Sequence, residues 1–540
     1  MKKYLIKSYK QNVPLLKYLY HRLDPQPPNR TQHIDHRLDP QPSVKTNTIF
    51  KRFVEKVTPI KWDEAIWAEQ PKSRTKSFSD FYHSDFDDWG PDVFSLRGGP
   101  AKLQETDHHA RSVRHLEAGY DMTRLMLELT GTSRTKNPIF VVDLSTVMRK
   151  LADWHEHLPR VKPHYAIKCN NDEIICRMLA QAGCGFDVAS QAEMEQCLAM
   201  GVGPDRLIYA NPCKQPSMLQ FAGKQGVRRI TADNVEELKK IRGIFPEAEV
   251  VLRIAVDDSK SLCRFNSKFG CPPHEWDLMF TTATQLGLNI AGVSFHVGSG
   301  CGDLEPFVKA VASAQDAFNL ARSYGFRPNL LDLGGGWPGD DGGKFTFKEV
   351  AEAVSDALNR FFPASSGIEI IGEPGRYLAH ASHTYAVCVI AKRRLSQAQL
   401  ADNNEIESFG ARQTSEDMNI EIKDGFKKVE YNDTDCQPKV ALYLNDGVYG
   451  SFNCVVFDHA TVVPKILASQ NSLNSNDVAT KLFGPTCDSI DVVMPSTPLP
   501  QMNIGDWILF SNMGAYTRCA ASRFNGQGEH DVHYVWAGMP

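Results

Sequence analysis

Between residues 138 and 382 the chain alternates two patterns of apolar residues. Short runs rich in Val, Ile and aromatics are separated by longer stretches with apolar residues at helical spacing. After "IFVVDL" (139–144) eight strands are predicted, at 164–168, 185–188, 207–210, 228–231, 250–255, 291–296, 330–333 and 369–372. The helices between them carry start and stop signals. Ser190-Gln191-Ala192-Glu193 is a capping box, Met194, Cys197 and Leu198 follow on one face, and Gly201 ends the turn. Asp233-Asn234-Val235-Glu236 opens another helix, which carries Leu238 and Ile241. Eight strands alternating with helices predict an α/β architecture, a (β/α)8 barrel over 144–382, with a doubly wound open sheet as the alternative.

From 383 onward the helical period largely disappears. "HTYAVCVIAKRRL", "KVALYLNDGVYG", "CVVFDHA", "DVVMP" and "DWILFSN" read as strands separated by turns. They predict a C-terminal all-β domain over 383–540, of Greek-key or sandwich type, to which residues 106–143 contribute. Two polar stretches, 396–436 and the Ser/Asn-rich 468–478, are expected to be surface insertions. Residues 1–105 do not read as a domain and are expected to be mostly disordered. They contain "HRLDPQP" twice, at 21–27 and 36–42, too few and too polar copies for a solenoid.

Charge and cysteines then exclude several classes. With 60 basic against 64 acidic residues the net charge is −4, so nothing electrostatic points to nucleic acid or an anionic membrane. The 13 cysteines form no C-x-x-C pair and no Cys/His cluster, which predicts free thiols in a reducing compartment and no structural metal. No apolar run reaches the length of a membrane span. The basic N-terminus lacks a continuous apolar core, so cytosol is the expected location.

Candidate chemistry lies at the strand ends. In a barrel of this kind functional groups collect where strands end and the following loops begin. Those positions hold Lys168, Asp187, Arg253, His296, Gly334-Gly335-Gly336 and Glu373. One lysine closing "PHYAIKCN" would mean only that a strand surfaces there. So many polar strand ends on one face call for a shared polar ligand. "HVGSG", "DLGGGWPG" and "EPGRY" follow strands, and glycine-rich turns let backbone N–H groups approach a phosphate, with Arg376 adding a charge. Neither G-x-G-x-x-G nor a Walker lysine is present, so dinucleotides and nucleoside triphosphates are disfavoured. A lysine, a histidine, a carboxylate and a phosphate cradle together point to pyridoxal 5'-phosphate.

From about Leu116 to Tyr534 the chain resembles the barrel-type, alanine-racemase-like PLP-dependent decarboxylases, the eukaryotic ornithine decarboxylase group above all. The resemblance is carried by "YAIKCN", "FDVAS", "RIAVDDS", "SFHVGSGC", "LDLGGGWPG", "GEPGRY", "LNDGVYGSFNC", "FGPTCDSID" and "MGAYT…FNG". It implies decarboxylation of L-ornithine to putrescine, the first step of polyamine synthesis. Lys168 would carry the cofactor, His296 would stack on its ring and Glu373 would pair with the ring nitrogen. Ser299, Gly335, Gly336, Arg376 and Tyr516 would bind phosphate, and Asp187 and Arg253 would support the site. Glu193 is already accounted for by its capping box. The resemblance also implies a homodimer in which "GPTCDSID" enters the partner's barrel. There Cys487 would be the proton donor, Asp488 and Asp446 would bind the distal ammonium, and Phe524 would line the pocket. Lysine, arginine or diaminopimelate decarboxylases and racemases stay open as alternatives. So does a non-catalytic regulator that binds antizyme, although Lys168, Asp187, Glu373, Cys487 and Asp488 are all present.

Overall fold

The computed structural model describes residues 113–117, 119–259, 261–340, 342–395, 438–467 and 477–538. The expectations for 1–105, its heptapeptide duplication, 396–436 and 468–476 fall outside them.

Two strands precede the barrel, β1 (Val113–His115) and β2 (Ile139–Asp143). Next come β3 (Val161–Ala166), β4 (Gly185–Val188), β5 (Leu207–Tyr209), β6 (Arg229–Ala232) and β7 (Glu249–Arg253). A short hairpin pairs β8 (Ser261–Cys263) with β10 (Ser299–Cys301), and β9 (Asn289–Ser294) lies between them in sequence. β11 (Leu330–Asp332) and β12 (Glu369–Gly372) complete this half. β3 to β7, β9, β11 and β12 form a closed barrel of parallel strands in the order β11-β12-β3-β4-β5-β6-β7-β9. All eight predicted strands are there.

Period-2 alternation sorts the barrel side chains. Leu207, Tyr209, Val250, Leu252, Leu331 and Ile370 belong to the large core beneath the helices. The residues between them, Ile208, Val251, Leu330 and Ile371, form a separate cluster that fills the barrel axis. Helices between the strands begin where the sequence signals them. Ser190 caps Gln191–Ala199 by accepting from Glu193 N, and Asn234 caps Val235–Ile244 by accepting from Glu237 N.

The remaining strands are β13 (His383–Arg394), β14 (Val440–Leu444), β15 (Pro464–Leu467), β16 (Val478–Phe483), β17 (Val492–Leu499), β18 (Trp507–Phe510) and β19 (Asp531–Trp536). With β1 and β2 they form a nine-stranded sheet along the path β1-β19-β2-β13-β14-β16-β17, with β18 bridging β13 and β15. The long β13 leaves the barrel through the short helix Arg376–Ala379 and pairs with β2, β18 and β14 in turn. β17 carries Pro495 and Pro498 and ends the sheet path, a position where proline costs no ladder bond.

Two expectations are corrected. The strand expected to run to Lys168 ends at Ala166, and Lys168 sits in a 3-10 turn, Ile167–Cys169. "CVVFDHA" is not a strand: Asn453–Phe457 is a helix. Asn453 Nδ2 bonds the carbonyls of Gly450 and Thr517, and Cys454 is buried while Val456 and Phe457 are exposed. The local bond to Gly450 and the tertiary bond to Thr517 outweigh the strand propensity of two consecutive valines. Among the described residues no helix is long and apolar enough to cross a membrane.

Candidate active site

The alternation that fills the barrel axis also builds the site. Phe186 and Val188 face the outer core, so Asp187 points inward; Leu252 faces out and Arg253 in; Leu331 and Leu333 face out and Asp332 in. The same parity turns Ser294, His296 and Glu373 toward the axis. A polar layer therefore caps the apolar plug of Ile208, Val251, Leu330 and Ile371 at the C-terminal end of the strands. One cavity there is lined by Lys168, Asp187, His296, Ser299, Gly335, Gly336, Glu373, Arg376 and Tyr516, together with Ala166, Trp337 and Gly375.

Lys168 reaches this layer because the chain leaves the β3 ladder before it. Its Nζ pairs with Asp187 Oδ2, while Asp187 Oδ1 is buried with no hydrogen-bond partner among the described residues. Burial opposes the Lys168 ammonium, but Asp187 and then Glu373 outweigh it and raise the lysine pKa. Glu373 is pushed well above the carboxylate range by burial and by the charges of Asp187 and Asp332. Burial also lifts Asp332, to about 7. Asp332 Oδ1 accepts from Gly334 N at 2.9 Å, while its Oδ2 is buried with no hydrogen-bond partner among the described residues.

His296 Nδ1 accepts from Gly298 N at 3.0 Å, and burial followed by the charges of Arg253 and Lys168 holds its pKa well below the usual value. The ring is neutral, with its proton on Nε2. Arg253 does not line the cavity; it lies over the Phe269 ring at 5.1 Å and is drawn down by burial against nearby Glu373 and Asp233. Glu193 Oε2 accepts from Ala189 N at 2.6 Å, one residue before the N-cap Ser190 that a capping box would use.

Glycine at 335 and 336 is a steric requirement. A Cβ at Gly335 would lie 2.8 Å from His296 Nε2, and one at Gly336 would lie 2.6 Å from the Gly298 carbonyl, at φ +102°. Beside this cradle Arg376 Nη2 donates to Ser299 Oγ at 2.9 Å. Tyr516 faces the guanidinium at 5.1 Å and adopts φ +54°, a conformation rarely held by a bulky side chain without a functional reason. The cradle, the lysine beside a carboxylate, the neutral histidine and the buried glutamate fit pyridoxal phosphate.

The other predicted residues do not line this cavity. Cys487 is exposed, and its N–H donates to Asn525 Oδ1 at 3.0 Å. Tyr449 OH donates to Asp488 Oδ2 at 2.7 Å, and the Tyr449 ring lies 4.5 Å from Phe524. These form a surface group on the β region. Asp446 is buried: Tyr385 OH and Ser451 N donate to it, and His530 lies within 3.3 Å. Burial would raise its pKa, but the His530 and Tyr385 hydrogen bonds hold it low.

Sequence reasoning missed Trp337, whose Nε1 donates to Gly334 O at 2.9 Å, and Asp458, which pairs with Arg376. The tryptophan stands in the quoted "GGGWPG" and could have been flagged there. Asp458 sat inside a misread strand.

Residues 144–380 match the family model described as the pyridoxal-binding domain of pyridoxal-dependent decarboxylases. The chain is 42% identical to ornithine decarboxylase of Rattus norvegicus over 405 residues, 75% of this chain and 82% of that protein. It is 41% identical to antizyme inhibitor 2 of Xenopus laevis over 436 residues, 80% of this chain and 88% of that one. Among solved structures, the arginine decarboxylase of Paramecium bursaria Chlorella virus superposes with a TM-score of 0.66 at 32% identity, covering 76% of this chain and all of the other. Fold, site and sequence agree: this chain belongs to the pyridoxal-dependent decarboxylase family, and pyridoxal phosphate is its cofactor.

Proposed function

We propose that the protein decarboxylates L-ornithine to putrescine, working as a homodimer with composite sites. The observation that carries the reading is Lys168 paired with Asp187 in the barrel mouth, flanked by the buried Glu373 carboxyl and by His296, whose Nδ1 accepts from Gly298 N. When bound, the cofactor supplies an electron sink for the charge left at Cα as CO2 departs.

The chain's own groups then have separable tasks. Lys168 would hold the cofactor aldehyde, with Asp187 keeping the ammonium in place until the amine is needed. Glu373, whose pKa burial raises, would pair with the ring nitrogen. Uncharged His296 can lie against the ring without adding a second cation. Gly335, Gly336, Ser299, Arg376 and Tyr516 would hold the phosphate. Arg253, beside Glu373, would steady the polar layer. Cys487 would return a proton to Cα. Asp488 would meet the distal ammonium and Phe524 would wall the substrate chain. Asp446 would act on that ammonium through its His530 and Tyr385 neighbours, since it is itself buried. Cys487 and Asp488 stand outside the Lys168 cavity of their own chain, which supports delivery by a second copy.

Ornithine is favoured by the 42% identity to a protein named ornithine decarboxylase. The antizyme inhibitor relative supports a second reading, binding to antizyme without turnover. Holoenzyme offered ornithine, lysine, arginine and diaminopimelate separately, with each amine identified by mass, decides among them. Putrescine as the dominant product is expected. Cadaverine or agmatine in excess would reassign the substrate, and no amine from cofactor-loaded protein would favour the regulator.

A further inference from the structure

Arg376 comes from the barrel, yet the group that fixes it comes from the β region. Its Nη2 donates to Asp458 Oδ1 at 2.6 Å and Oδ2 at 2.7 Å, and to Ser299 Oγ at 2.9 Å; Nε lies 3.3 Å from the same hydroxyl. Tyr516 covers one face of the guanidinium. Both Nη2 hydrogens and the Nε hydrogen are therefore engaged. Nη1, on the other fork, has no protein acceptor among the described residues, and the residue borders the cavity lined by Gly335 and Gly336.

Asp458 is itself held. It follows the helix Asn453–Phe457, its N–H bonds Cys454 O at 3.0 Å, and Cys263 Sγ approaches Oδ1 at 3.7 Å. Asn453 in that helix bonds Thr517 O at 2.7 Å, one residue from Tyr516. The β region thus presents the stacking ring and the carboxylate as one unit.

We infer that Asp458 is a positioning residue for cofactor binding: it locks the Arg376 fork so that the Nη1 edge faces the cofactor's phosphate. This rests on the phosphate assignment made above. An arginine loses rotamer freedom when immobilised, and a side chain ordered before binding does not lose it again. A carboxylate beside a phosphate site would otherwise be a liability. Here both oxygens are taken up by Nη2, so the carboxylate is paired with the guanidinium it orients and Nη1 keeps its donors for the phosphate.

The test uses cofactor-free protein titrated with pyridoxal phosphate and, separately, with pyridoxal, which has the ring and aldehyde but no phosphate. Tryptophan fluorescence gives both affinities without turnover. Asp458→Ala is expected to weaken pyridoxal phosphate binding by about tenfold while pyridoxal binding changes less than about twofold, and Asp458→Glu should recover most of the loss. Added to Arg376→Ala, Asp458→Ala should cost nothing further. Equal losses for both ligands would mean that Asp458 only supports the fold, and tighter or unchanged pyridoxal phosphate binding would mean that it competes with the phosphate or is idle; each overturns the inference. Wild-type protein that does not distinguish the two ligands would refute the phosphate assignment itself, and the inference with it.

Discussion

His164 shows how much one side chain in the barrel interior can cost. It is 4% exposed, neither ring nitrogen has a hydrogen-bond partner among the described residues, and it fills space that Gly185 leaves by having no Cβ. Burial, then the charge of Arg229, lowers its pKa from 6.5 to about 4. The unfolded chain therefore binds the extra proton between those values, so stability falls as pH drops from 6.5 toward 4, by at most about 1.4 kcal/mol per pH unit. His164→Phe should raise stability at pH 5 by about 1 kcal/mol or more and flatten that slope in urea titrations. An unchanged slope would assign the acid sensitivity elsewhere. At the same scale, Lys168→Ala should cut release of labelled CO2 from ornithine by a factor on the order of 10³ and abolish the borohydride-reducible link to the chain. Near-normal turnover would refute the role given to Lys168. The cofactor half of the site was legible because its residues stand at strand ends, where alternation decides which way they point. His164 obeys the same alternation but was not singled out, since nothing in a sequence shows that a buried ring lacks a partner.

Strands and helices were read well where local pattern and tertiary demand agree. Each barrel strand is a run of apolar residues bounded by a helical stretch, and all eight lie within a few residues of expectation. Asn453–Phe457 failed because five residues are too few to show a helical period, and its bond to Thr517 is long-range information. Strand β16 was hidden for a related reason: Val478 opens it at the end of a stretch read as a polar insertion. A further tertiary link carries a prediction. Asp172 caps the helix Glu173–Gln181 by accepting from Ile174 N and Ile175 N, and its Oδ2 also accepts from Tyr534 OH at 2.6 Å and Arg518 Nη1 at 3.3 Å. One carboxylate thus joins a barrel helix to β19 and to the segment after Tyr516. Asp172→Ala removes the cap and strips a buried hydroxyl and a guanidinium of their acceptor. It should destabilise the fold by about 2–3 kcal/mol, read as a lower urea midpoint. A loss below about 1 kcal/mol would mean that water replaces the carboxylate and that the link between the two regions is weak.

At the scale of the whole molecule, the two halves of the proposed chemistry do not share a cavity within one chain. Lys168, Glu373 and His296 line one, while Cys487 is exposed and Asp488 and Phe524 accompany it on the β region. Ile490, in the same loop, is 56% exposed, and Phe457, next to Asp458, is 74% exposed. Large apolar side chains left in water beside reactive groups are what a covered surface looks like before its partner arrives. A two-fold dimer would place each chain's Cys487 loop over the other's barrel, giving two equivalent composite sites. Mixing inactive Lys168→Ala chains with inactive Cys487→Ala chains tests this arithmetically. Random pairing makes half of the dimers mixed, and in each of those one site receives the intact lysine from one chain and the intact cysteine from the other, while its twin receives neither. Recovery should approach about a quarter of wild-type activity after subunit exchange, and it should be absent when the variants are mixed without exchange. If the cysteine served its own chain, no site in any mixed dimer would contain both groups. Zero recovery in dimers shown to be mixed would therefore return Cys487 to its own barrel.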